Sequence, residues 1–257
     1  MCGRYVITSA PEAIRALFRY PEEPDFPPRY NVAPTQPVPI VRINAGAPSF
    51  ALMRWGLIPS WVKDPRNYTL LINARGETVT EKPAFRHAVQ RRRCLFPADG
   101  FYEWRADGVR RRPYFIRPRN GGPIAFAGLW ETWSGPNGEE VDTACIVTTT
   151  ANRVLAPIHD RMPAVIAPEG FDLWLDSARV DTATAVALIV PAPDNLFEAY
   201  EISTAVNRAA NDSAALIEPV GSQAAPAFPA GPEPPAAKPK TGLKVKPKKN
   251  DGQASLF

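Results

Sequence analysis

The amino-acid composition of the chain changes abruptly at Gly221, and this break limits which part can fold. After Gly221, proline, alanine and lysine dominate and large apolar side chains become rare. Such a segment buries too little apolar surface to offset the entropy lost on ordering. We therefore expect one folded domain over residues 1–220 and a disordered tail over residues 221–257. A domain of that length is large enough to bury a substantial core.

Charge divides along the same boundary. The tail holds six of the 30 basic side chains and two of the 26 acidic ones, so the folded part has equal numbers of each. A neutral body has no general attraction for polyanions. Any anion-binding site on the folded domain must therefore come from local clusters of arginine.

The chain contains three cysteines, Cys2, Cys94 and Cys145, at irregular spacing. That number and spacing fit neither a disulfide framework nor a zinc site, and they are typical of a reducing compartment. The sequence shows no signal-peptide pattern and no apolar run long enough to cross a bilayer. It also lacks phosphate-binding glycine loops and metal-binding motifs. We expect a cytoplasmic protein with no membrane partner, no cofactor and no metal.

The first part of the domain predicts a strand, a helix and a long loop. Residues 3–8 have the composition of a strand. The spacing of Ser9 and Glu12 predicts a capping box, with a proline between them suited to the first turn, so we expect a helix over residues 11–18. Residues 21–39 are too rich in proline for regular structure and predict an irregular loop. A loop of this length in a compact domain is usually functional.

The remainder of the domain predicts mostly strands. Residues 38–43 and 49–55 form a predicted hairpin with turn residues Asn44-Ala45-Gly46 between them. The mixture of strands with a few helices predicts an α+β fold. Further strands are predicted over residues 114–117, 124–130 and 143–149, and helical or ambiguous segments over 170–175 and 182–190.

The N-terminal sequence Met1-Cys2-Gly3-Arg4 predicts an unusual functional group. Cysteine is small enough for the initiator methionine to be removed, which leaves Cys2 with a free α-amine beside its thiol. An α-amine has an unperturbed pKa of about 7.7 to 8.0, so part of it is neutral near pH 7 and condenses with an aldehyde to a Schiff base. The thiol then closes a five-membered thiazolidine. On its own, a Met-Cys start is more often accidental than functional.

Four further segments give that start a context. They are Asn31-Val32-Ala33-Pro34, Ile72-Asn73-Ala74-Arg75-Gly76-Glu77, Gly100-Phe101-Tyr102-Glu103-Trp104 and Ile158-His159-Asp160-Arg161-Met162-Pro163. In order and spacing the five segments resemble the SRAP family, the SOS response-associated proteins that capture abasic sites in single-stranded DNA. The resemblance implies an α+β domain of twisted, mainly antiparallel sheets with flanking helices and a groove for single-stranded DNA. The tail lies outside it.

The resemblance implies catalytic roles for Cys2, Asn73, Glu103 and His159. Cys2 would form the adduct, and Asn73 would position its amine by hydrogen bonding. Glu103 lies between two aromatic residues, a setting that would raise its pKa and suit it to proton transfer. His159 has an unperturbed pKa of about 6.5, which also suits acid–base chemistry. Without the resemblance, these side chains would be interpreted as a solvated strand carboxylate and a structural histidine.

The charge pattern and the resemblance together predict the contacts to DNA. Three arginines lie two residues from catalytic candidates, where their guanidinium groups would surround a phosphate backbone. A proline and a tryptophan match family positions that wedge against or stack on bases beside the lesion. A strand threonine matches a position near the sugar. The predicted DNA-binding residues are Arg4, Pro34, Trp61, Arg75, Thr148 and Arg161.

Other prominent side chains are interpreted as structural. Two runs of three arginines, at residues 91–93 and 110–112, predict solvated faces. Trp130 is predicted to pack in the core. His87 is assigned no role.

The tail contains Gln253-Ala254-Ser255-Leu256-Phe257, which resembles the bacterial sliding-clamp-binding peptide. In that peptide the leucine and phenylalanine enter an apolar pocket on the clamp, and a lysine-rich tether suits such presentation. We therefore expect Gln253, Leu256 and Phe257 to bind the clamp. This partner would place the protein at the replication fork in the bacterial nucleoid.

These observations predict a monomer that senses abasic sites in single-stranded DNA and shields them as a thiazolidine crosslink through Cys2. Two alternatives remain open. Cys2 and His159 also suit a Cys-dependent peptidase or autopeptidase, and the arginines suit a non-catalytic single-stranded DNA-binding module. Blocking the N-terminal amine distinguishes the three, because only the crosslinking reaction requires that amine.

Overall fold

Two sheets, built mainly from antiparallel strands, make up most of the regular structure. The computed structural model describes residues 2–221 of the chain. Within that range the strands are β1 (Tyr5–Ile7), β2 (Arg29–Val32), β3 (Pro37–Asn44), β4 (Ala47–Trp55), β5 (Asn73–Arg75), β6 (Arg93–Ala98), β7 (Gly100–Asp107), β8 (Arg110–Pro118), β9 (Ile124–Ser134), β10 (Glu140–Thr150), β11 (Arg161–Pro163), β12 (Val165–Ile166) and β13 (Phe197–Glu201).

The larger sheet closes on itself into a five-stranded barrel. Strands β4, β3, β6, β9 and β10 follow one another in antiparallel order, and β10 returns to β4 in parallel, with Thr143 opposite Arg54. Closure leaves these strands without a free edge within the ring. In the wall, a Cβ on Gly128 would lie 2.4 Å from the ring of Phe96, so only glycine permits this close packing.

The smaller sheet has the strand order β13-β8-β7-β1-β2. It packs on the barrel through aromatic side chains. The ring of Tyr5 meets Trp55 edge-on at 5.4 Å and Phe126 at 6.3 Å, and Phe101 also meets Phe126 edge-on at 5.8 Å. Each such pair contributes about 0.5–1.5 kcal/mol beyond the burial of its surface. This packing holds β1, and with it the N-terminal segment, against the barrel.

Short helices flank the sheets. They are α1 (Pro11–Phe18), α2 (Arg86–Arg91), α3 (Phe171–Leu175) and α4 (Thr182–Val186). In α1, Ile14 and Phe18 lie one turn apart and are buried, and Phe18 stacks on Phe171 at 5.1 Å. In the described part of the chain, no helix is long and apolar enough to cross a membrane.

The predicted helix over residues 11–18 is confirmed, but its predicted capping box is wrong. The residue before the helix that serves as N-cap is Ala10, which supplies no side-chain cap. The backbone N–H of Ser9 instead donates to the Asp99 carboxylate at 2.7 Å, and its hydroxyl donates to the same group. Asp99 lies between β6 and β7. Ser9 therefore makes a contact with a residue distant in sequence instead of capping the helix, as its local spacing had predicted.

The predicted hairpin is confirmed, whereas the predicted irregular loop is only partly so. Strands β3 and β4 pair from end to end, and Ala45 and Gly46 between them both have positive φ, at 49° and 84°, as a tight two-residue turn requires. The proline-rich stretch nevertheless contains β2 and the start of β3. Pro37 and Pro39 are accommodated because β3 meets its second neighbour, β6, only at Val41.

The interpretation of the first arginine run was wrong for one residue, whereas the core packing predicted for Trp130 is confirmed in part. Arg93 is buried and donates to the carbonyl oxygens of Val89 at 3.0 Å and Val180 at 2.9 Å. Trp130 is half-buried and packs against the main core. The guanidinium groups of Arg42 and Arg92 lie 4.4 and 5.1 Å from its ring centroid. Residues 110–112 are exposed, as expected.

Candidate active site and nucleic-acid interface

Cys2 lies in the interior because β1 runs antiparallel to β7. Tyr5 is opposite Phe101, and the N–H of Tyr102 donates to the carbonyl of Arg4 at 3.1 Å. The same pairing brings the residues before β1 beside Glu103. Cys2 has no exposed surface, and its thiol lies 3.8 Å from the carbonyl oxygen of Arg4. Burial, together with the negative charge of Glu103, raises the pKa of this thiol.

Glu103 is a buried carboxyl group, with 3% of its surface exposed. Burial raises the pKa of Glu103 to about 7, because the ionised form loses its hydration. The expectation of an apolar setting that shifts this pKa upward is therefore confirmed. Near neutral pH such a group exists in both protonation states, which is the condition for efficient proton transfer in both directions.

His159 lies next to Glu103, with its Nε2 atom 3.9 Å from Glu103 Oε2. The backbone N–H of Arg161 donates to Nδ1 of His159 at 3.0 Å, which requires Nδ1 to be unprotonated. Asp160 also approaches Nδ1 at 3.0 Å, but its side chain is 87% exposed and solvated. Burial lowers the pKa of His159. The imidazole is therefore neutral near pH 7, with its proton on Nε2 on the side of Glu103.

Asn73 contacts Cys2 directly. It lies on β5, which runs parallel to β10 with Asn73 opposite Ile146. Its Nδ2 donates to the carbonyl oxygen of Cys2 at 2.9 Å. Its Oδ1 is buried and has no hydrogen-bond partner among residues 2–221. The contact to Cys2 is the backbone carbonyl rather than the amine that was expected, and the unpartnered oxygen stays available as an acceptor.

Arg4 is held by hydrogen bonds to Asn31 and Val206, and no role was predicted for Asn31 from the sequence. The Nη1 of Arg4 donates to Asn31 Oδ1 at 2.9 Å and to the carbonyl of Val206 at 3.1 Å. The Asn31 amide is itself buried and donates to the carbonyls of Val206 and Asn211. Asn31 lies in one of the five segments that resemble the SRAP family, and this position was the only sequence feature that pointed to a role for it. It ties the segment after β13 to the N-terminal strand.

Arg161, Thr148 and Glu77 form a second cluster. The two terminal nitrogens of Arg161 donate to the Glu77 carboxylate at 2.6 and 2.8 Å, and one of them also reaches the carbonyl of Thr148 at 2.8 Å. Thr148 is fully buried, and its hydroxyl is 3.3 Å from Arg161. Thr148 therefore lies behind Arg161, which it supports. Arg75, opposite Thr148 on β5, is exposed.

The residues predicted to contact bases lie on two loops. Pro34 is half-buried and precedes Thr35, whose φ of 72° is unusual for a residue other than glycine. Trp61 has 56% of its surface exposed, and its ring meets Tyr68 edge-on at 5.6 Å. Val62 turns inward beneath Trp133, so the loop is anchored while Trp61 projects. An exposed indole on an anchored loop is suited to stacking.

Comparison with known proteins shows the family to which the chain belongs. The model of the family described as SOS response associated peptidase (SRAP) matches residues 1–209. The chain belongs to the SRAP family. This SRAP chain is 40% identical over 223 residues to "Abasic site processing protein YoqW" of Bacillus subtilis, covering 85% of the chain and 99% of the relative. It is 34% identical to "Abasic site processing protein YedK" of Escherichia coli, covering 86% of the chain and all of that relative.

The fold comparison gives the same family architecture. A crystal structure of a protein from Bacteroides thetaiotaomicron superposes with a TM-score of 0.76 and 27% identity, covering 85% of this SRAP chain and all of that protein. Within residues 2–221, no group of three or more His, Cys, Asp or Glu side chains is placed to hold a metal ion.

Proposed function

We propose that this protein captures abasic sites in single-stranded DNA as a covalent adduct of Cys2, after removal of Met1. Its relatives YoqW and YedK are named as abasic site processing proteins. These names support a role for this protein in processing DNA damage. The observation that carries the proposal is the burial of Cys2 beside Glu103, a carboxyl group with a pKa near 7. Cys2 packs in the main core, so its thiol is held in a fixed place beside Glu103.

The proposed reaction joins the aldehyde of an open abasic deoxyribose to the aminothiol of Cys2. The amine nitrogen adds to the aldehyde carbon to give a carbinolamine, which loses water to give a Schiff base. The thiol sulfur then adds to the same carbon and its proton passes to the nitrogen, so that one water molecule is the only product besides the thiazolidine. No oxidant or cofactor is needed for the balance.

The surrounding side chains match the proton movements of these steps. Glu103 accepts a proton from the attacking amine and returns it to the departing hydroxyl, since its pKa near 7 allows both transfers. Neutral His159 donates from Nε2 to oxygen atoms of the sugar during ring opening. Asn73 holds the Cys2 carbonyl through Nδ2 and offers Oδ1 to the amine. Together they orient the nucleophile before the aldehyde arrives.

The alternative of a Cys-dependent peptidase has less support. A thiol peptidase needs a thiolate, but burial raises the pKa of the Cys2 thiol. The thiol also lies against the carbonyl of Arg4, whereas the Nε2 of His159 faces Glu103. A purely binding module would have no use for the buried Glu103. The geometry therefore favours crosslinking over both alternatives.

The proposed DNA path follows the exposed or half-buried residues around Cys2. Arg75 would contact phosphate directly, because it is exposed, and Arg4 and Arg161 would orient the strand from their fixed positions. Trp61 would stack on a base, a contact typically worth about 1–3 kcal/mol, and Pro34 would wedge beside the lesion. Thr148 acts through Arg161. Phosphate contacts of this kind position a strand without reading its sequence.

An intact-mass measurement tests the proposal. The purified protein is expected to lack Met1, and incubation with single-stranded DNA carrying one abasic site should add the mass of the DNA less one water. Equal incubation with undamaged single strands is the control and should leave the mass unchanged. An active preparation that retains Met1, or an adduct of any other mass, would contradict the mechanism.

We further propose that the protein acts as a monomer at replication forks and that Gln253, Leu256 and Phe257 dock on the sliding clamp. These three residues lie outside the described range. Burial of two large apolar side chains supplies roughly 1.5–3 kcal/mol each before ordering costs, a total that corresponds to weak binding, with a dissociation constant of roughly millimolar to tens of micromolar. The Leu256→Ala/Phe257→Ala double variant should lose at least about tenfold in affinity for the clamp and crosslink free abasic DNA normally. Equal clamp affinity in titration calorimetry would refute the docking.

A further inference from the structure

Among the described residues, the guanidinium group of Arg161 has hydrogen-bond partners for two of its three nitrogens. Both terminal nitrogens of its guanidinium group are bound, to Glu77 and to Thr148. The third nitrogen, Nε, is buried and has no hydrogen-bond partner among residues 2–221. The whole side chain is only 11% exposed. A buried N–H without an acceptor costs about 1–3 kcal/mol, so the guanidinium group is held in a position that its internal hydrogen bonds do not fully satisfy.

Glu77 sets the orientation of the Arg161 guanidinium group. Its two oxygens grip the terminal nitrogens side by side, and a paired fork of this kind fixes the plane of a guanidinium group. The hydrogen bonds from Arg161, with its charge as a smaller contribution, hold the pKa of Glu77 below its usual range, so the carboxylate is ionised at neutral pH. The pair is thus electrically neutral before any DNA arrives.

The backbone at Gly76 is built to bring Glu77 to this position. A Cβ on Gly76 would lie 2.4 Å from a methyl group of Ile189 and 3.2 Å from the carbonyl oxygen of Thr148. Only glycine therefore allows the short 3₁₀ turn Gly76–Thr78 to pack against β10. The turn places the Glu77 carboxylate over Arg161. This arrangement is consistent with a positioning function rather than with a chance surface ion pair.

We propose that Glu77 is a positioning residue that fixes the guanidinium plane of Arg161, and that this fixed group aligns the strand beside the captured abasic site. This inference rests on the proposed function. Because the Arg161–Glu77 pair is neutral, Arg161 contributes direction and little net electrostatic attraction. Arg75 is exposed to solvent, so it contributes attraction. The two arginines thus divide alignment and affinity between them.

The test replaces Glu77 by glutamine in the full chain and measures two quantities. The first is the salt dependence of binding to undamaged single-stranded DNA. Loss of the carboxylate frees one positive charge, so the logarithmic slope should steepen by about 0.7 with no loss of affinity at low salt. The second is the crosslinking rate at saturating abasic DNA, which should fall at least about tenfold because alignment is lost.

Three variants serve as references. Glu198→Gln removes one carboxylate from a comparable ion pair, in which Arg117 donates to Glu198 at 2.7 Å, and should leave the crosslinking rate unchanged. Arg75→Ala should flatten the salt slope by about 0.7, which calibrates that measurement. Glu77→Asp keeps the charge but shortens the side chain, so its slope should match the wild type while its rate falls.

An unchanged crosslinking rate in Glu77→Gln would overturn the inference. So would a parallel loss of thermal stability, affinity and rate in both Glu77 variants, since that pattern belongs to a structural ion pair. If the wild-type protein forms no adduct at all, the proposed function fails. The salt slope still reports on the Arg161–Glu77 pair in that case, and an unchanged slope in Glu77→Gln would separately reject its electrostatic part.

Discussion

A Cys2→Ser variant is expected to form no heat-stable adduct with abasic single-stranded DNA. Serine keeps the α-amine after removal of Met1, so the first condensation to a Schiff base remains available. A hydroxyl closes the five-membered ring much less favourably than a thiol, so the product stays hydrolysable. On a denaturing gel after heating, the loss of adduct should be complete within detection, whereas borohydride treatment before heating should recover part of it.

The fold is expected to tolerate this change. Cys2 is fully buried and its thiol donates to the carbonyl of Arg4 at 3.8 Å, and a serine hydroxyl can donate to the same oxygen. Affinity for undamaged single strands should therefore stay near that of the wild type. Cys145→Ser is the matched control, since it changes another buried cysteine remote in sequence from the N-terminus, and it should retain the heat-stable adduct. A heat-stable adduct of Cys2→Ser without borohydride would refute thiazolidine formation.

The elements that depend on neighbouring residues were predictable from the sequence. The turn at Ala45 and Gly46 and the start of α1 at Pro11 follow from local backbone preferences. Closure of the barrel was not predictable, because it depends on the parallel contact of β10 with β4, between residues about ninety positions apart in the chain. The hydrogen bond from Ser9 to Asp99 was not predictable either, because it also joins residues that are distant in sequence.

The candidate site divides in a similar way. Resemblance to the family predicted the residues of the site, and the pKa of Glu103 was anticipated from its aromatic neighbours. Its burial, however, comes from β1 lying across β7, a contact that alternation along one strand does not reveal. Glu77 and Asn31 belonged to recognised segments, yet their partners Arg161 and Val206 are distant in sequence. Their roles therefore required the structure.

Glu103→Gln is expected to slow crosslinking by about a hundredfold while leaving affinity for undamaged single strands within a factor of about three. The amide keeps the shape and part of the hydrogen bonding of the carboxyl group but cannot exchange a proton near neutral pH. The pH dependence of the wild-type rate should show an inflection near pH 7, the pKa of Glu103, and the variant should lack it. Single-turnover rates from pH 5.5 to 8.5 would measure both effects.

The same substitution should also stabilise the fold, with a dependence on pH that identifies the cause. Burial raises the pKa of Glu103 from 4.5 to about 7, so the folded state binds a proton more tightly than the unfolded state does. Stability is therefore full below about pH 4.5 and falls as the pH rises through 7, by up to about 3 kcal/mol. Glutamine carries no such cost, so its advantage should be near zero at pH 4.5 and largest above pH 7.5.

Denaturant unfolding of both proteins at pH 4.5 and 8 measures this difference. Glu140→Gln, which changes an exposed carboxyl group on β10, is the control and should alter neither the rate nor the pH dependence of stability. A Glu103→Gln variant that is slower but no more stable at pH 8 would show that burial of the ionised Glu103 does not destabilise the fold. The combined outcome, a slower reaction in a more stable fold, is what a catalytic carboxyl group in an apolar site requires.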